Sequence, residues 1–151
     1  MTQRHLQSTN PHAICAAIRH ARKALCRRLD QVAAAADAQF PRAFTGIVAA
    51  VEAGFRHEEH MLESLGHERL REHIAENAVI LTALHRTMAQ VDHGDCALGR
   101  QVLAALRDVM ALHRLTADLA AATAPHPSAM RVHGRAARAT LHVAAHRRHV
   151  H

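Results

Sequence analysis

The sequence predicts an all-α protein, an up-down-up-down four-helix bundle followed by a basic C-terminal tail. Three observations carry this. Hydrophobic residues make up 49% of the chain while aromatics make up 2%, with no Trp or Tyr; a core of Ala, Leu, Val and Ile favours helices over sheets. Four stretches repeat apolar residues at three-four spacing. The breaks between them are short and marked by Pro or Gly, so successive helices return antiparallel. At 151 residues the chain suits one domain with one core. The spacing divides it into an N-terminal arm (1–12), the bundle (13–124) and a His/Arg-rich tail (125–151).

The first helix is expected from about His12 to Asp37, with Ile14, Ile18, Ala21, Leu25, Leu29 and Val32 on one stripe. Pro11 is tolerable at its start, and Phe40-Pro41-Arg42 marks the following break. The second, from about Ala43 to Leu65, carries Phe44, Val48, Val51, Phe55, Leu62 and Leu65, and Gly66 stops it. The third starts near His67, places Leu70, Ile74, Asn77, Leu81, Leu84 and Met88 on one face, and ends at Asp92-His93-Gly94-Asp95. The fourth, from about Ala97 to Ala122, presents Val102, Leu106, Val109, Met110, His113 and Ala117 before Pro125 and Pro127.

The three cysteines, Cys15, Cys26 and Cys96, are widely spaced, form no C-x-x-C pair and leave one over. They read as reduced, buried thiols of a cytoplasmic protein. The N-terminal MTQRHLQSTNPH has no apolar run resembling a secretory signal, and no stretch of about 18 apolar residues could span a membrane. The net charge of +6 invites a nucleic-acid partner. However, Arg131, Arg135, Arg138, Arg147 and Arg148 gather in the tail, so the excess is a property of that segment, and a nucleic-acid function is not expected of the bundle. No Ser or Cys sits in a nucleophile elbow.

Chemistry concentrates in the His- and Glu-rich run Phe55–Asn77. Glu58 lies three residues after Phe55 and four before Leu62, on the buried stripe. His73 and Asn77 share the stripe of Leu70, Leu81 and Leu84, His113 follows Met110, and Asp118 flanks the same face. These five groups converge from three helices on the interior, where unpaired polar groups are costly. Either a buried hydrogen-bonded network or a shared cation would satisfy them, and mixed imidazole and carboxylate donors suit iron, manganese or zinc. His57 could sit beside the group, whereas Glu59, Glu63, Glu68, Glu72 and Glu76 read as solvated faces.

The segments FRHEEHML, HIAENAVILTAL and VMALHRLTAD resemble the H-F-x-x-E-E-x-x-M, H-x-x-x-H-x-x-x-L-x-x-L and W-L-x-x-H-I-x-x-x-D patterns of hemerythrin, the non-haem di-iron oxygen-binding family of four-helix bundles. The resemblance covers roughly Ala13 to Ala122. It implies that Glu58 and Asp118 bridge the metals and that His73 and His113 serve the iron that ordinarily has three imidazoles. Asn77 stands in that iron's third position, and Gly54 stands where the second helix ordinarily supplies a histidine to the other iron. His20 is the candidate ligand of the first helix, although it lies roughly 140° from the Ile14-Ile18-Leu25 stripe. The implied cofactor is iron, as a di-iron centre or one metal only. The implied partner is dioxygen or another small diatomic, bound by a carrier, store or sensor. Two alternatives stay open: an oxidoreductase with a mononuclear or labile di-iron site, and a metal-free helical interaction module.

Overall fold

In the computed structural model, the secondary structure of residues 10–123 and the side chains through His113 are described. The chain divides into two compact units, Met1–Arg114 and Leu115–His151, and the account below concerns the first. Four helices form the bundle: α1 (Pro11–Ala33), α2 (Phe40–Ser64), α3 (Leu70–Asp92) and α4 (Cys96–Thr123). The tail and most of the N-terminal arm lie outside the described residues.

Each helix begins and ends for a local reason. Asn10 caps α1 by accepting the His12 amide at 3.0 Å through Oδ1, with Pro11 occupying the first turn where no amide is needed. The break after α1 falls at residues 34–39, so Phe40-Pro41-Arg42, expected as the break itself, instead opens α2. Pro41 again sits where its missing N–H costs nothing.

Gly66 terminates α2 at φ +62°. Its amide meets Glu63 O at 2.9 Å and the next amide, of His67, meets Leu62 O at 3.1 Å. This is the paired 5→2 and 6→1 closure that a left-handed residue permits. The end of α3 repeats it with Gly94 at φ +103°, the Gly94 amide on Val91 O and the Asp95 amide on Gln90 O. Asp95 then accepts the Leu98 amide at 3.0 Å and starts α4.

The core contains all three phenylalanines. Phe40 and Phe44 are fully buried with ring centroids 5.7 Å apart, and Ile47, Val48, Val51 and Phe55 continue the same α2 face. Leu25 and Leu29 of α1, Leu84 and Val91 of α3, and Leu103, Leu106 and Met110 of α4 close around it. Ile74 and Val109, expected on inward stripes, are instead more than a third exposed.

Two contacts fasten α4 to the first hairpin. Gly99 lets the backbone approach Phe40 and Val91 so closely that a Cβ there would stand 2.6 Å and 2.7 Å from their side chains. Arg100 donates to the carbonyls of Ala33 at 3.0 Å and Ala35 at 2.7 Å, pairs with Asp37 at 2.7 Å, and lies 4.4 Å above the Phe40 ring. The end of α1 thus obtains partners for otherwise orphaned carbonyls.

Candidate functional site

Helix α2 carries Glu58 into the bundle one turn beyond Phe55, and the residue is only 7% exposed. A carboxylate in that position requires compensation. Two side chains supply it. Arg22 of α1 donates from Nε to Glu58 Oε2 at 2.9 Å and from Nη2 to Oε1, a two-point pair matched to the planar carboxylate. His73 of α3 brings Nε2 to 3.0 Å from Oε1. Burial alone would raise the Glu58 carboxyl above its ordinary 4.5, but the interaction with His73, the hydrogen bonds from Arg22 and the positive charge of both outweigh it and bring it down to about 2.

The imidazole of His73 is incompletely satisfied. Its Nε2 is within ion-pair distance of Glu58 but off hydrogen-bonding alignment, and it is a buried atom with no well-formed hydrogen bond. It borders a small cavity of about 20 Å³ that Glu58, Asn77, His113 and Arg22 also line, roofed by Phe55 and Met110. That volume holds about one water or one small ion.

Of the residues singled out in the sequence, Glu58, His73, Asn77 and His113 therefore meet at one cavity. Asn77 is buried, and its amide nitrogen donates to Glu59 at 2.7 Å. Glu59 is thus a half-buried hydrogen-bond acceptor rather than part of a wholly solvated face. His20 is exposed and is not among the residues lining the cavity. Asp118 lies in α4, with its side chain outside those described. His57 is exposed on the α2 side of a neighbouring, larger pocket.

Arg22 is the member that sequence reasoning missed. It stands four residues after Ile18 and three before Leu25, both buried. It is therefore on the inward stripe of α1, whereas His20 is two residues away and points elsewhere. Its position on that stripe was the available signal.

The donor set fits a two-metal centre poorly on one side and a single cation better on the other. Toward α1 and α2, both Glu58 oxygens are engaged by a guanidinium, Gly54 has no donor, and His20 is outside. Toward α3 and α4, His73, Asn77 and His113 line one ion-sized space. Among the described residues there is no group of three or more His, Cys, Asp or Glu placed to hold a metal ion.

No family model, curated protein or solved structure matches the chain. Among the described residues no helix is long and apolar enough to cross a membrane, and Cys15, Cys26 and Cys96 are free thiols, Cys15 exposed and the other two half-buried rather than buried as expected.

Proposed function

We propose that the protein is a hemerythrin-like iron-binding bundle of the cytoplasm that takes dioxygen or another small diatomic as its ligand, and that it holds one iron rather than two. The observation that carries this reading is the buried His73 Nε2, without a well-formed hydrogen bond, at the edge of an ion-sized cavity. His73 and His113 would hold the metal, with the Asn77 oxygen and Glu58 beside it. Iron so held supplies an exchangeable coordination position for a small ligand. The chain's own contribution is to aim the imidazoles from two helices, to keep water out with Phe55, Ile80 and Met110, and to hold Glu58 ionised through Arg22.

A second reading is a metal-free helical scaffold. The Arg22–Glu58 pair favours it, since that pair already balances the buried carboxylate. Metal analysis of protein produced with iron and purified anaerobically separates the two. About one iron per chain, lost in His73→Ala, together with a spectral change on adding nitric oxide or air, supports the first reading. A folded protein that retains no iron supports the scaffold, and about two irons per chain would overturn the single-metal assignment.

A further inference from the structure

Between α1 and α2 lies a second cavity, of about 260 Å³, open on one side to solvent. Small residues create it: Ala21 and Ala24 on α1 face Ala50 and Gly54 on α2, over a floor that includes Leu25 and Phe55. At Gly54 the only atom a Cβ would meet is Leu25 Cδ2, at an ordinary 3.6 Å. The glycine is therefore not demanded by helix packing, and a larger side chain there would grow into the space. The room equals that of roughly nine waters at about 30 Å³ each. This is below the usual range for drug-sized ligands, which suits a molecule of about ten non-hydrogen atoms.

The walls are apolar, but the charges are unequal. Arg22, Arg28 and Glu58 all line the cavity. Glu58 is already answered by Arg22, which uses Nε and Nη2 on it. Arg28 has no acidic partner among the described residues, and Lys23 and Arg27 add positive charge to the same helix. A neutral apolar guest would leave this bias unused, and a cation would oppose it. We infer that the α1–α2 cavity binds a free monocarboxylate with an apolar body of medium length, on the order of eight carbons, with the chain against Leu25, Phe55 and Met110 and the carboxylate at the Arg28 rim. The inference does not rest on the iron reading: the two cavities share Arg22, Glu58, Phe55 and Met110, but neither His73 nor His113 lines this one.

Two methionines, Met61 and Met110, border the cavity and report on its occupancy, whereas Met88 of α3 does not line it. The test is titration of the full chain, carrying ¹³C-methyl methionine, with octanoate, octan-1-ol and octylamine. Octanoate is expected to shift Met61 and Met110 saturably and leave Met88 in place. Octanol and octylamine are expected to bind at least about tenfold more weakly, a charge-selective preference. Gly54→Leu, with helical content checked by circular dichroism, should abolish the shifts, and Arg28→Glu should weaken octanoate about tenfold. Absence of any shift with millimolar octanoate overturns the proposal. Equal binding of octylamine, or full affinity in folded Gly54→Leu, does so as well. Should Gly54→Leu not fold, the exposed Arg28→Glu change decides alone, undiminished affinity counting against the site.

Discussion

Arg22 on α1 and Glu58 on α2, 36 residues apart, are joined through two nitrogens of one guanidinium and both oxygens of one carboxylate. Their side chains are 18% and 9% exposed. The pair is thus largely withdrawn from water, a setting in which the loss of one partner is worse than the loss of both. Arg22→Met is expected to cost about 3 kcal/mol by stranding the carboxylate. Arg22→Met combined with Glu58→Leu should recover most of it. Urea denaturation of wild type, both single variants and the double variant measures this, with unchanged m values confirming that the same folded state is compared.

Acid should reveal the same pair. The Glu58 carboxyl is held at about 2 in the folded chain against an ordinary 4.5. Its contribution is therefore fully present above about pH 4.5 and is lost as the pH falls through about 2. The shift corresponds to roughly 3 kcal/mol at neutral pH. In Glu58→Gln, stability between those two pH values should fall less steeply than in wild type. Equal slopes in denaturation series across that window would remove Glu58 from the account.

Gly99 offers a test in which helix propensity and packing oppose each other. Alanine gains about 1 kcal/mol over glycine in an exposed helix. Here its methyl would press on Phe40 and Val91, both fully buried, and overpacking costs about 1–3 kcal/mol. Because neither neighbour has room to move, Gly99→Ala should destabilise the protein. Calorimetry should show a lower Tm, and Phe40→Leu in the same background should return part of it.

Metal removal should leave the bundle folded. Glu58 has an organic cation as partner, so its charge stays compensated after chelation, unlike a carboxylate balanced only by a metal. Dialysis against chelator is expected to preserve helical circular dichroism in wild type and to lower Tm only by the lost binding energy. The same treatment of Arg22→Met should produce a larger fall.

The helices were legible because their signals are local. Periodic Leu, Val and Ile gave the stripes, and Gly66 and Gly94 gave the stops, where a left-handed φ is needed. Glu58 and Asn77 were legible as interior residues because they interrupt apolar stripes. Their partners were harder to read. Arg22 reaches Glu58 across 36 residues and Asn77 reaches Glu59 across 18, and no sequence spacing encodes which long side chain turns inward. His20 drew attention as a residue type, yet the stripe through Ile18 and Leu25 favours position 22. The opening of α2 was misread because Pro41 can begin a helix as readily as mark a break.

Arg100 has a temporal consequence. The carbonyls it holds belong to residues 33 and 35, and it follows the latter by 65 residues. At a synthesis rate of about 5–20 residues per second, the end of α1 would leave the ribosome roughly 3 to 13 seconds before its clasp. Throughout that interval Phe40 lacks its α4 cover and the end of α1 must rely on water. Newly made chains are thus most vulnerable to aggregation before the fourth helix emerges, and a chaperone that recognises exposed phenylalanine would have its longest opportunity there.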